Sequence, residues 1–166
     1  MSLLETQHFY DVDADKIYQL VTDQDFLQQR YEAIGSKNLE FKEFNQDGDT
    51  TRIRLQRDIP LQPWDVAKSF FNETAHLDET LTWQRNSDGT AHCDYQCVID
   101  GLESDVTGSF DLRNKDEGCV EDITVTALVK MPAGMGKAMA NYVQFEIKEN
   151  LNREQAFTRL YLDRQS

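Results

Sequence analysis

The sequence predicts an α+β chain in which a curved seven-stranded antiparallel sheet, in the order β-αα-β6-α, wraps around a long C-terminal helix. Three observations carry this expectation. Two short capped helical stretches follow the first strand directly. From Asn38 to Val129 apolar residues recur with period two and are punctuated by turn signals, the pattern of an antiparallel meander. After Pro132 the period becomes helical, and nothing breaks it until near Arg164.

Taken in order, Leu3 to Tyr10 reads as the first strand, with Phe9 flanked by His8 and Tyr10. Asp13 can cap a helix from Ala14 to Thr22, which carries Ile17, Leu20 and Val21 at helical spacing. Asp23 or Asp25 starts a second helix through Phe26, Leu27 and Tyr31, and Gly35 stands where a left-handed C-cap is wanted. Leu39 and Phe41 then alternate with charged neighbours. Asn45 to Asp49 supplies turn chemistry, and Ile53 and Leu55 alternate with Arg52, Arg54 and Gln56 in the return strand. Ile59 to Phe71 interrupts the pattern, with Pro60 and Pro63 marking a loop; Pro63 suits the first position of a short helix running to about Phe71.

Strands resume at Leu77, with Leu81 and Trp83 on one face and a turn at Asn86–Gly89. Cys93, Tyr95, Cys97 and Ile99 share a face of the next strand, which bends at Asp100-Gly101. Val106, Gly108, Phe110 and Leu112 line a further strand ending at Asn114–Gly118, and Ile123, Val125, Ala127 and Val129 give the last one. A final helix from Lys137 to Leu162 would be about 40 Å long at 1.5 Å per residue. Met139, Tyr142, Val143, Phe157, Leu160 and Tyr161 fall on one of its faces.

A chain of 166 residues fits one domain, 1–166, with no linker or repeat. A domain of this length buries roughly 70% of the surface of its unfolded chain, so it needs no staples. Thirty acidic against 17 basic residues give a net charge of −13. Such a field opposes nucleic-acid phosphates and anionic lipid headgroups, so no nucleic-acid partner and no stable membrane insertion are expected. Three cysteines give no closed disulfide framework, Leu3-Leu4-Glu5 begins no secretory signal, and no apolar run spans a membrane. The expected location is the cytoplasm.

This order of elements resembles the helix-grip fold of the START-like (SRPBCC) superfamily, which includes polyketide cyclases, lipid-transfer START domains and the pollen-allergen family. Tyr31-Glu32-Ala33-Ile34-Gly35 is similar to the YxAxG ending of a short-helix pair in one bacterial branch of unknown function. Val129 to Lys137 is similar to that branch's strand–Pro–Gly–Gly entry into the last helix. The resemblance covers essentially the whole chain. It implies a cavity between sheet and long helix, often holding a hydrophobic ligand, but no single chemistry.

Motifs that invite other readings do not hold up. Around Gly134-x-Gly136-Lys137, a phosphate loop would need Gly at position 131 and Ser or Thr at 138, where Met131 and Ala138 stand. A dinucleotide fingerprint would need Gly at Met139, so close packing at the strand-to-helix turn explains these glycines better. Asp11-Val12-Asp13-Ala14-Asp15 imitates a calcium loop, but Lys16 and Thr22 occupy the positions of its Gly and bidentate Glu. Cys93 and Cys97 lie about 13 Å apart along a strand, too far for a disulfide. They read as small buried hydrophobes, or as a reactive thiol where a cavity reaches one. His8, His76 and His92 show no zinc spacing, and no nucleophile–base pair is visible. No catalytic residue, metal or cofactor is assigned.

One feature is less bland. Glu146, Asn150 and Arg153 project within about 40° of Met139 on the helical wheel, inside the apolar stripe. Polar groups facing a dry core are costly unless paired, whereas a cavity holding water or a polar head accommodates them. Alternatively the buried face shifts toward Ile147 and Leu151, or the central turns overhang solvent. Trp83, Tyr95 and Phe110 share the concave face of the sheet, as core or as the aromatic wall of a pocket. The expected ligand contacts are therefore Trp83, Tyr95, Phe110, Val125, Met139, Tyr142, Glu146, Asn150 and Arg153. The leading functional expectation is binding or carriage of a small hydrophobic or amphipathic molecule. The alternatives are a cyclase- or hydrolase-type small-molecule enzyme in the same cavity, and a protein-interaction module with no ligand.

Overall fold

In the computed structural model, residues 2–62, 68, 71, 73–132 and 134–165 are described. Strand β1 (Ser2–Tyr10) is followed by α1 (Ala14–Val21) and α2 (Gln24–Ala33). The meander β2 (Lys37–Asp47), β3 (Thr50–Pro60), β4 (Thr74–Arg85), β5 (Ala91–Ile99), β6 (Ser104–Lys115) and β7 (Gly118–Val129) comes next, and α3 (Met135–Gln165) closes the chain. The seven strands form one antiparallel sheet in the order β1-β7-β6-β5-β4-β3-β2. This is the helix-grip architecture. The expected short helix beginning at Pro63 lies outside the described residues.

Local chemistry sets the element ends. The Asp13 carboxylate accepts from Lys16 N and the Asp23 carboxylate from Phe26 N, each at 2.9 Å, which satisfies N–H groups that the first turns of α1 and α2 leave orphaned. Gly35, at φ +95°, takes the left-handed position that ends α2. Entry into α3 turns on Gly136: a side chain there would meet Val129 O at 2.7 Å, so close strand–helix packing requires glycine.

Alternation places Ile53, Leu55 and Ile59 of β3, Leu77, Leu81 and Trp83 of β4, and Ile123 and Val125 of β7 on one buried face. On β1 the inward positions are not the most hydrophobic ones. Leu4, His8 and Tyr10 face inward, whereas Phe9 is 46% exposed with the Lys115 ammonium 5.8 Å from its ring. Helix α3 lies across β1 and β7 and reaches α2. Its side chains cover the free edge of β1: Gln144 Nε2 donates to Leu3 O at 2.9 Å and Arg159 Nη2 to Phe9 O at 2.8 Å.

The buried face of α3 departs from the expected stripe at its far end. Met139, Tyr142 and Val143 are buried, and Phe157 and Tyr161 pack on Phe26 at ring separations of 5.9 and 4.9 Å. Leu160, however, is 55% exposed, because the buried position is Thr158 and two residues turn a helix by about 200°. At the other sheet edge, a bulge between Phe41 and Glu43 brings Phe41 and Phe44 to one side, with rings 5.9 Å apart.

Gly108 tests the tightness of the sheet. A Cβ there would stand 2.4 Å from Thr124 O and 2.9 Å from Val125 Cγ2 on β7, contacts that backbone cannot relieve cheaply. Gly108→Ala is expected to cost about 1–3 kcal/mol, the range of overpacking, read as a lower midpoint in urea unfolding with an unchanged slope.

Candidate functional site

The sheet is broader than one helix can fill, and a cavity of about 90 Å³ remains between it and α2 and α3. At the ~30 Å³ that a water occupies in the liquid, about three waters would fit, or one small organic body. An aromatic surface forms part of the wall. Tyr95 and Phe110 are 5.5 Å apart, Trp83 and Phe110 6.4 Å, and Tyr18 meets Trp83 edge-on at 6.1 Å from behind. Aliphatic side chains, among them Ile59, Leu77, Ile123, Val125 and Val143, continue it.

Trp83, Tyr95, Phe110, Val125, Tyr142, Glu146 and Asn150 line this cavity, as does Cys97. Met139 and Arg153 do not. Met139 is completely enclosed near the start of α3. From Glu146 and Asn150 the stripe continues by fours to Glu154 and Thr158, which are buried, and this turns Arg153 about 100° aside. Glu146, Asn150 and Glu154 thus form the polar stripe of α3, with the partly buried Ile147 and Leu151 beside it. Burial pushes the Cys97 thiol up, which keeps it protonated and removes the thiolate that a nucleophile needs. Among the described residues no group of three or more His, Cys, Asp or Glu is placed to hold a metal ion.

Sequence reasoning missed the charges that form the polar end. Arg57 is an inward position of β3, two residues beyond Leu55, and Glu79 lies between Leu77 and Leu81 on β4. Arg57 Nε donates to Glu79 Oε1 at 2.7 Å, and Arg57 Nη1 donates to Ser36 Oγ at 2.9 Å. The guanidinium lies 4.4 Å from the centre of the Tyr31 ring, and Arg30 approaches the same ring to 5.7 Å. Arg30 Nη2 pairs with Glu154 at 3.1 Å, and Arg30 Nη1 donates to Thr158 Oγ1 at 3.4 Å. Burial opposes the Arg57 charge, but Glu79, Tyr31 and Glu154 together outweigh it and hold the guanidinium protonated. Burial also raises the Glu154 carboxyl above the ordinary range, with Arg30 and Arg57 pulling the other way.

Two further groups flank this cluster. Glu121, from an inward position of β7, has His8 Nδ1 at 3.8 Å, and His8 Nε2 lies 3.4 Å from Asn152 Oδ1. Burial, then the charge of Glu121, pushes the Tyr10 phenol up, so it remains a donor. Elsewhere on the wall, Glu146 Oε1 accepts from Gln62 N at 2.8 Å and Tyr142 OH donates to Gln62 O at 3.0 Å, fastening α3 to the segment after β3. A period-two reading that scored charge as well as hydrophobicity would have found Arg57, Glu79 and Glu121. Arg30 and Glu154 carry no such signal, because their burial follows from how α2 and α3 meet.

A family described as "Protein of unknown function (DUF2505)" matches residues 5–162. The chain belongs to DUF2505. Its fold is also that of solved structures at low identity. A START superfamily protein from Mycobacterium smegmatis is 13% identical, with a TM-score of 0.62 over 96% of this chain and 98% of that one. Ara h 8.0201 is 16% identical, with a TM-score of 0.59 over 94% and 96%. A STAR-related lipid transfer protein fragment from Xanthomonas axonopodis is 12% identical, with a TM-score of 0.60 over 95% and 85%. At these identities the likeness is one of fold alone. No curated protein matches the chain. No helix among the described residues is long and apolar enough to cross a membrane.

The buried Arg57–Glu79 pair gives a measurable coupling. Arg57→Met alone leaves Glu79 buried without its cation and is expected to lose about 3–5 kcal/mol in urea unfolding. The double variant Arg57→Met/Glu79→Met is expected to lose far less than the two single variants together. Additive losses would show that the two side chains are not energetically paired.

Proposed function

We propose that the protein binds and carries a small hydrophobic or amphipathic molecule in the cavity between the sheet and α3. Trp83, Tyr95, Phe110, Val125 and Tyr142 form the apolar contact surface, and Glu146 and Asn150 are polar contacts. Met139 and Arg153 take no direct part. The observation that carries this reading is the make-up of the cavity wall: mostly aromatic and aliphatic side chains, with a few charged groups held among them in fixed geometry. Mostly apolar concave sites with a few placed polar groups are how proteins hold small organic ligands. The likeness in fold to a STAR-related lipid transfer protein supports the same reading.

Catalysis in this cavity is the second reading, favoured by the raised carboxyl of Glu154. That carboxylate is committed to Arg30 at 3.1 Å, which suits a structural role better than proton transfer to a ligand. A protein-interaction module without ligand is expected to have a filled core and a contiguous apolar patch. The large exposed apolar residues among those described are few, namely Leu3 and Phe9 on β1, Val98 on β5, Leu128 on β7, and Met135 and Leu160 on α3, and the interior holds a cavity.

The test uses N-phenyl-1-naphthylamine, a neutral apolar fluorophore. The chain is expected to bind it once, with a blue-shifted, saturable signal. Ala75→Phe places a ring into the cavity from the start of β4, where Ala75 is buried and lines the wall. This variant should keep the far-UV spectrum and melting temperature and lose at least about tenfold in affinity, a difference of 1.4 kcal/mol. No saturable binding, or binding unchanged in Ala75→Phe, would remove the carrier reading.

A further inference from the structure

The ligand-binding reading says nothing about the charge of the ligand, but the lining of the cavity does. Four carboxylates, Glu79, Glu121, Glu146 and Glu154, face two guanidiniums, Arg30 and Arg57. Both cations are already committed. Arg57 is spent on Glu79 and Ser36, Arg30 on Glu154 and Thr158, and both pack on the Tyr31 ring. Glu146 accepts from the backbone at Gln62.

Glu121 is different. It keeps only 9% of its surface, yet it accepts no hydrogen bond among the described residues. Its nearest basic atom, His8 Nδ1, stands at 3.8 Å, beyond hydrogen-bond reach. A desolvated carboxylate without donors is costly, and the cost falls when a donor enters beside it. The phenol of Tyr10 and the ring of His8 can donate or accept, so they do not set the sign of the site. Two donors without partners nearby, Arg30 Nε and Trp83 Nε1, are sealed by their own packing and offer nothing to an anion.

We propose that the polar end of this cavity takes a protonated amine head, with Glu121 as its acceptor, and rejects a carboxylate or phosphate head. The inference rests on the ligand-binding reading above and narrows it to a class: an apolar body carrying an ammonium group. An anionic head would meet two guanidiniums already paired and a carboxylate that accepts no hydrogen bond among the described residues, within a chain of net charge −13. A cationic head supplies the missing donors at Glu121 and gains charge-assisted hydrogen bonds, the stronger kind.

The experiment titrates the full chain calorimetrically with octylamine, octanol and octanoate at neutral pH and physiological salt. These probes share a chain length and differ only in the head. Octylamine is expected to bind once per chain and at least about tenfold tighter than octanoate, with octanol between them. Glu121→Gln keeps the shape of the side chain and should erase most of that preference. Glu5→Gln, an exposed position on the outer face of β1, should leave it unchanged. Octanoate binding as tightly as octylamine overturns the proposal while leaving the cavity reading intact. So does an equal effect of Glu5→Gln and Glu121→Gln, which would mark diffuse attraction to an acidic surface. Failure of all three probes, together with N-phenyl-1-naphthylamine, overturns both readings. The order of the three heads on the wild-type chain needs no variant, so a Glu121→Gln chain that does not fold leaves the proposal open to refutation.

Discussion

The Tyr31 ring, with guanidiniums 4.4 and 5.7 Å from its centre, is the point at which four elements of the fold are tied together. Tyr31 and Arg30 come from α2, Arg57 from β3, its partner Glu79 from β4, and Glu154 from α3. Each guanidinium has its carboxylate and a hydroxyl oxygen, so the charges taken from water are matched in place. A buried pair of this kind does not stabilise more than well-packed hydrophobic residues would. What it adds is geometry. A guanidinium has fixed donor directions, and two of them around one ring set the distance between α2 and the sheet, and through Glu154 the depth of α3. A cavity persists beside this cluster because the helices are held off the sheet by polar contacts instead of collapsing onto it.

The architecture was largely legible in the sequence. Element order, the N-caps at Asp13 and Asp23, the C-cap at Gly35 and the meander all rest on local signals, namely capping side chains, turn residues and period-two alternation. Long-range order could be argued from the same signals, because a curved sheet with one apolar face needs a cover and the final helix is the one element long enough. Side-chain type and phase part company at particular positions. Phe9 is exposed and His8 buried, since position along β1 decides the face and side-chain type does not. Leu160 is likewise exposed, because from Tyr142 onward the buried stripe steps by fours to Thr158.

The site was legible in part, and the boundary is physical. An aromatic wall of Trp83, Tyr95 and Phe110 follows from alternation on adjacent strands, and Glu146 and Asn150 from the helical wheel. Arg153 was placed one residue short of the position that packing selects, because a wheel anchored on Met139 does not follow the drift of a step of four over a helix of 31 residues. Arg57, Glu79 and Glu121 were passed over for the opposite reason. Charged residues in an amphipathic strand are ordinarily solvent-facing, so a reading that sorts residues by type sends them outward even when their phase is inward. An ionisable side chain in phase with the core is the stronger signal, since burial of charge is tolerated only where something repays it.

The paired and unpaired charges divide the work between them. Arg30, Arg57, Glu79 and Glu154 neutralise one another and give the cavity its shape, and a ligand that broke these pairs would have to repay their desolvation in full. Glu121 is not closed in this way. Its position on β7, between Cys119 and Ile123, is dictated by strand phase, and the nearest basic atom stops at 3.8 Å. The free energy available to discriminate between ligand heads therefore concentrates at Glu121, a lining carboxylate that accepts no hydrogen bond among the described residues. Specificity of this type comes from differential satisfaction of a buried polar group. It is larger than anything the apolar wall can provide, since Trp83, Tyr95 and Phe110 accept an alkyl body whatever its head.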